Sequence, residues 1–357
     1  MNEWKTYKLG EIARFQTGKL NSNAAIEGGK YPFFTCSPTT LHIDNYAFDQ
    51  EAILLAGNNA EGNFSIKYYN GKFNAYQRTY VIEAITEYCE TRYLFYSLKL
   101  YLQHFKYISQ GTSTKFLTAS ILRNIPISLP PLAEQKRIAD ILSAIDDKIE
   151  LNRRINANLE QQAQALYKSW FIAVEKDNWE EKRLGDIIEL YDSQRRPLSG
   201  QQRANMDKIY PYYGATSLMD YVDNYLFDGI YLLLGEDGTV SDSEGFPMLQ
   251  YVWGKFWVNN HAHILQGKNG YTTESLYILL KQTNVSSTIT GAVQPKISQA
   301  NLKSIPIKLP PIELLSNYNK IIKPLFEEIR NNSTQINQLS TLRETLLPKL
   351  VSGEIDV

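Results

Sequence analysis

The sequence predicts an α+β fold: two similar heads separated by two long antiparallel coiled-coil helices, related by a pseudo-twofold. Three observations predict it. GTSTKFLTASILRNIPISLPPL (Gly111 to Leu132) returns as GAVQPKISQANLKSIPIKLPPI (Gly291 to Ile312), an offset of 180 residues. WKTYKLGEI at Trp4 returns as WEEKRLGDI at Trp179, and Gly71-Lys72-Phe73 returns as Gly254-Lys255-Phe256. After each Pro-Pro pair the apolar pattern changes to a heptad. The period is far longer than the 20 to 50 residues of a solenoid, so a whole domain with its connector is duplicated.

Residues 1–130 form the first head by this reading. Short apolar pieces such as Ala52 to Ala56 and TYVIEA are cut by Gly and Asn clusters, the pattern of strands and turns. Residues 131–178 form the first long helix. Pro131 suits its first turn and Glu134 the positive end of its dipole. Its seam reads Ile138, Leu142, Ile145, Ile149, Asn152, Asn156, Leu159, Ala163, Leu166 and Trp170. Residues 179–310 repeat the head and 311–357 the helix, with the seam Tyr318, Ile322, Leu325, Ile329, Asn332, Ile336, Leu339, Arg343, Leu346 and Leu350. Each seam residue lies 180 after its counterpart, Asn152 and Asn332 included, and a polar residue in a seam commonly fixes register. Pro324 is expected to kink or interrupt the second helix. About 40 residues at 1.5 Å each make a helix roughly 60 Å long, wider than one small domain. Only Phe171 to Asn178 separate the first helix from the second head. The apolar stripes are then best buried by antiparallel pairing, giving a dumbbell.

With 357 residues and 43% hydrophobic content the chain buries ordinary cores. The longest apolar runs are too short to span a bilayer, so a cytoplasmic protein without membrane partners is expected. Cys36 and Cys89 lack metal-ligand spacing and lie in the first head only; both are expected as buried free thiols. Residues 1–130 carry 13 Lys+Arg against 10 Asp+Glu, and residues 179–310 carry 12 against 14. That balance excludes a polybasic nucleic-acid tether and leaves only local basic patches.

Two heads at fixed separation suit two sites at fixed separation on a long ligand, and DNA repeats about every 34 Å. At this point the residues carry a resemblance. The duplicated head followed by [IL]-P-[IL]-x-L-P-P and a long helix, Lys168-Ser169-Trp170-Phe171 closing the first helix, and the C-terminal Leu347-Pro348-Lys349-Leu350-Val351-Ser352-Gly353-Glu354-Ile355 resemble the specificity subunit of type I restriction-modification systems. The likeness covers essentially the whole chain. It implies that the heads are target recognition domains, each reading half of a split double-stranded DNA sequence, and that the helices are spacer and docking surface for two adenine-methyltransferase subunits. A motor nuclease subunit would join for restriction. No chemistry and no cofactor would belong to this chain. In agreement, it contains neither GxxxxGK[ST] nor [ND]PP[YF]; Leu129-Pro130-Pro131-Leu132 and Leu309-Pro310-Pro311-Ile312 lack the Asn or Asp that would hold a target amine.

Candidate DNA contacts are sought where equivalent loops differ. Asn58 and Asn59 after Gly57 stand against Glu236 and Asp237 after Gly235; Asn pairs with adenine, and acids accept from cytosine N4. Tyr76-Gln77-Arg78 stands against Asn259-Asn260-His261. Lys19, Lys72, Thr112, Ser113, Lys115, Arg195, Arg196, Arg203, Gln294 and Lys296 complete the set as phosphate or base contacts. The plain alternative for the Asn loops is turn chemistry, and for each basic residue a solvated surface charge. His261 and His263, two apart on an expected strand, would share a face, but no third ligand stands at metal spacing and no metal is expected. Two rival readings are a coiled-coil adaptor whose heads bind proteins, and an enzyme whose site has gone unnoticed.

Overall fold

The computed structural model describes residues 4–176, 179–291 and 293–357, so the last two residues of the expected connector, Asp177 and Asn178, lie outside the described residues. The chain divides into two compact units, 1–151 with 335–357, and 152–334. Each contains one head, the start of one long helix and the end of the other.

In the first unit a six-stranded sheet has the order Ala13–Thr17, Thr79–Ala84, Phe48–Ala56, Ile66–Ala75, Tyr31–Phe34, Leu41–Ile43. All neighbours are antiparallel except Tyr31–Phe34 against Ile66–Ala75, where Phe33 pairs with Asn74. The unbroken apolar run in Phe48–Ala56 follows from burial of both faces. Ile53 and Leu55 enter the core beneath helix Thr91–Ile108, whereas Ala52 and Leu54 pack with Phe34, Phe73 and Val81. That helix starts where the Glu90 carboxylate accepts the Tyr93 N–H at 2.5 Å.

A two-stranded ribbon, Lys5–Lys8 with Pro126–Leu129, closes the head and delivers the chain to helix Leu132–Tyr167. Pro131 stands just outside this helix, its carbonyl accepting from the Glu134 and Gln135 N–H groups. The Gln135 amide, 1% exposed, fastens the helix to the head: it accepts from Glu90 N–H and donates to the Tyr88 and Pro130 carbonyls. Ile138, Ala139 and Leu142 share one core with Leu346, Leu347 and Leu350, and Arg343 pairs with Asp146 at 2.6 Å. Residues rising along one helix meet residues falling along the other, so the pairing is antiparallel, as the shared seam requires.

The second unit repeats the scheme. Its sheet order is Ile188–Leu190, Ala262–Gly267, Phe227–Gly235, Leu249–Val258, Tyr210–Tyr213, Leu218–Val222, and its ribbon pairs Glu180–Arg183 with Pro306–Leu309. Tyr318 and Ile322 occupy its core as Ile138 and Leu142 occupy the first, 180 residues earlier. Tyr318 donates to the Ala163 carbonyl, and Asn156 donates to Ser333 Oγ and the Ile329 carbonyl while accepting from Asn332. Asn152 is fully buried. Every seam residue named above is buried or half-buried.

Two expectations are corrected, and the first long helix has an irregular end. Helix Ile312–Ser352 runs through Pro324, so the proline does not interrupt it. The ring is exposed and costs about one helical hydrogen bond, while Ile322 and Phe326 on either side are buried and hold the helix in place. The first long helix ends in a π-turn, Lys168–Ile172, with Ala173 N–H donating to Lys168 O; the extra residue swings Phe171 into the core against Tyr167 and Tyr318. Cys89 is buried, but Cys36 is only half-buried.

Candidate nucleic-acid interface

The same backbone hydrogen bonds gather four segments in each head. In the first, Gly57 N–H donates to Arg78 O, Leu117 N–H to Gly57 O, and Tyr76 N–H to Phe34 O. In the second, Glu236 N–H donates to His261 O, Ile297 N–H to Glu236 O, and Asn259 N–H to Tyr213 O. A side chain from the strand then reaches over: Tyr80 hydroxyl to the Leu117 carbonyl at 2.9 Å, and His263 Nε2 to the Ile297 carbonyl at 2.8 Å. Gly57 permits the close approach, since a Cβ there would lie 2.6 Å from the Arg78 carbonyl oxygen. Gly111 and Gly291, with φ of 103° and 88°, turn the equivalent hairpins. Arg78 is thereby the structural counterpart of His261, Gln77 of Asn260, and Asn58 of Asp237.

The first head opens a cleft of about 520 Å³ lined by Thr17, Gln77, Arg78, Gln110, Phe116 and Thr118, among others. The exposed Arg78 guanidinium lies 5.6 Å from the centre of the Phe116 ring. Gln77 donates to Asn21 at 2.8 Å. Asn58 accepts from the Cys36 thiol, and Asn59 accepts from the Glu61 and Asn63 N–H groups, so the Asn59 oxygen serves the turn while the Asn58 oxygen ties it to a distant segment. Thr112 and Ser113 are exposed at the hairpin tip; Lys115 lies on the strand paired with Asn59, and Lys19 is exposed next to Gly18. Lys72 does not line the cleft. It pairs across the sheet with Asp49, toward the Phe48 end of that strand, with its ammonium 4.7 Å from the Tyr46 ring, and Tyr46 raises its pKa.

In the second head the corresponding place is filled by an ion network. Arg195 reaches Glu236 at 2.5 Å and also donates to the Asp192, Asn260 and Ala262 carbonyls. Asp192 accepts from His263 Nδ1 at 2.6 Å, Ile264 N–H and Gln299; Lys296 approaches Glu236 at 3.2 Å. Burial pushes the Asp192 carboxyl up, but the His263 hydrogen bond and charge, the Ile264 N–H and Arg195 outweigh it and leave the group below its ordinary value. Glu236 is lowered in the same way, burial being outweighed by Arg195, His263 and Lys296. Asp192, Glu236 and His263 are close enough to share a cation. Arg195 and Lys296 already supply that positive charge, and both His263 ring nitrogens are engaged.

Several sequence-based candidates therefore have structural duties. Arg195 and Glu236 are built into this network. Arg203 stacks 4.7 Å over Tyr212 and is held by Asp220 at 3.1 Å. Asn259 is buried and accepts from the His261 N–H. His261 and His263 do not share a face: His261 precedes strand Ala262–Gly267 and is exposed, with Nδ1 2.5 Å from Asp237, while His263 is fully buried. Arg196, Asn260, Gln294 and Lys296 remain exposed.

Sequence reasoning missed Phe116 and a second cleft in the first head, about 640 Å³, lined by Asn59, Asn63, Lys67, Lys99, Gln103 and Lys106 among others. The spacing of Lys99, Gln103 and Lys106, four and three residues apart on one helical face, was the available signal. Burial lowers the pKa of Lys67 and, despite Asp146, of Lys99.

One scaffold used twice, with the polar side chains around its loops changed, defines a recognition protein that varies what it reads on a fixed frame. The family model for "Type I restriction modification DNA specificity domain" matches residues 1–161 and again 176–341. The chain belongs to this family. It is 28% identical to the type I restriction enzyme EcoDI specificity subunit of Escherichia coli, over 99% of this chain and 89% of that one. It is 30% identical to the MjaIX specificity subunit of Methanocaldococcus jannaschii, over 75% and 69%. The fold matches the crystal structure of a type I S subunit from M. genitalium with a TM-score of 0.63 and 18% identity, covering 98% and 96% of the two chains. Among the described residues no helix is long and apolar enough to cross a membrane.

Proposed function

We propose that this chain is the DNA sequence-recognition subunit of a type I restriction-modification complex and is itself non-catalytic. Residues 1–130 and 179–310 are its two reading heads, each taking one half of a bipartite double-stranded target. The single observation that supports this most is the paired scaffold: identical hydrogen bonds hold Arg78, Gln77 and Asn58 in one head where His261, Asn260 and Asp237 stand in the other. Base edges are read by such polar groups, whereas phosphates position the protein. Lys19, Thr112, Ser113, Lys115, Lys67 and Lys106 supply phosphate contacts in the first head, and Arg196 and Gln294 in the second. Residues 131–178 and 311–357 set the distance between half-sites and dock two adenine-methyltransferase subunits, with a motor nuclease subunit joining for restriction. The complex works in the cytoplasm, where its DNA is.

The test is to co-express the chain with its modification subunits and map methylated adenines in host DNA. Exchanging residues 1–130 for the head of a related subunit should change one half of the methylated sequence. A change in both halves, or sequence-independent methylation by the parent, overturns the reading.

A further inference from the structure

Building on this reading, we propose that Arg78 is the residue through which the first head demands a guanine. Four features single it out. Its backbone is pinned, with the carbonyl accepting from Gly57 N–H at 2.8 Å and from the Cys36 thiol at 3.3 Å. Its guanidinium lies within cation–π reach of the Phe116 ring, 5.6 Å from the ring centre. Among the described residues no carboxylate pairs with it, in contrast to Arg195 and Arg203 of the second head, which are both ion-paired. It also lines an open cleft rather than a convex surface, flanked by Gln77 and Gln110.

A planar guanidinium with no carboxylate partner is matched to two acceptors side by side. Guanine O6 and N7 present that pair in the major groove, and no other base does. A phosphate also accepts two hydrogen bonds, but an arginine that lines a cleft is placed for groups that enter the cleft. At the equivalent position in the second head the fork is absent. There His261 lies with Nδ1 against Asp237 instead.

The experiment uses the full chain co-expressed with its modification subunits, with methylated adenines mapped genome-wide and Arg78→Ala and Arg78→Lys as variants. For Arg78→Ala the expected result is that one guanine position in the half read by the first head becomes degenerate, losing a preference of roughly 5- to 150-fold, while every other position is kept. Arg78→Lys, which retains charge without the fork, should relax the same position. His261→Ala should leave that half untouched. Arg78 is exposed, and its removal should not shift the thermal midpoint. An unchanged motif, a relaxed position that is not guanine, or a uniform loss of methylation with the motif intact, as a phosphate contact would give, each overturns the proposal. Failure of the broader reading looks different, because the parent protein would then show no bipartite motif at all.

Discussion

Arg195→Met tests whether the ion network is what holds the second head's loops in place. The substitution keeps the aliphatic volume and removes one guanidinium that serves Glu236 and three backbone carbonyls. Breaking a buried pair by deleting one partner costs about 3–5 kcal/mol, because the other charge is left uncompensated. Here the side chains are 14% and 13% exposed and Lys296 remains near Glu236, so the low end, about 3 kcal/mol, is expected. For a unit of this size each kcal/mol moves the midpoint by about 2–4 °C, so the melt should fall by roughly 6–12 °C. Intrinsic fluorescence is a suitable probe: Trp170, Trp179, Trp253 and Trp257 lie in this unit and only Trp4 in the other. Glu236→Gln in the Arg195→Met background should cost much less than in the parent, since the two act as a pair. A loss below about 1 kcal/mol, or full additivity of the two changes, would refute the claim that the network is structural.

The same groups set an acid limit. Asp192 and Glu236 have folded-state pKa values below their ordinary 3.8 and 4.5, so their stabilisation is complete above those values and is lost as pH falls through the lower, folded ones. The urea midpoint of the second unit should therefore hold between about pH 7 and 5.5 and drop below about pH 4.5, with a smaller drop in Asp192→Asn. Burial, then the nearby Glu90 charge, pushes the Cys89 thiol up to about 12, so a maleimide or disulfide reagent at pH 8 should spare Cys89 until the protein is unfolded; modification in the native state would contradict the packing. Asn332→Leu should cost about 1–3 kcal/mol by stranding Asn156, whereas the double change Asn156→Leu with Asn332→Leu should recover most of it; equal losses would show that the polar pair is not coupled.

Much of this architecture is legible in the sequence because it is periodic or repeated. The offset of 180, the Pro-Pro junctions and the two seams each depend on spacing along the chain. What stayed hidden depends on contacts between distant residues. Arg195 reads as a free loop cation until Glu236, 41 positions on, is seen against it, and the buried His263 looks no different from the exposed His261. Asn58 and Asn59 are typical turn residues, but only the Asn59 oxygen serves the turn, while that of Asn58 meets Cys36, 22 positions away in the sequence. The π-turn carries no period of its own, and Phe116 is an ordinary aromatic until Arg78 lies across it.

Duplication also makes the two heads unequal in a measurable way. The second head spends Arg195 and Lys296 on its own carboxylates, while the first keeps Lys67 and Lys106 beside a cleft that contains no carboxylate among its lining residues. The sheet register puts Gln250 where the first head has Lys67; the helix caps, Glu90 against Thr272, put Lys281 where it has Lys99, paired with Glu160 at 3.1 Å, and helix Thr273–Leu280 ends before the place of Lys106. The salt-dependent part of DNA affinity should then come mainly from the first head. Each phosphate neutralised contributes about 0.9 to the slope of log K against log salt, so Lys67→Gln with Lys106→Gln should flatten that slope by about 1.8. Lys99 has Asp146 4.0 Å away and adds less. The measurement is a titration of the assembled methyltransferase on its own target at several salt concentrations. A slope unmoved by the double change would mean that this cleft faces away from DNA and that the charge difference between the heads has another cause.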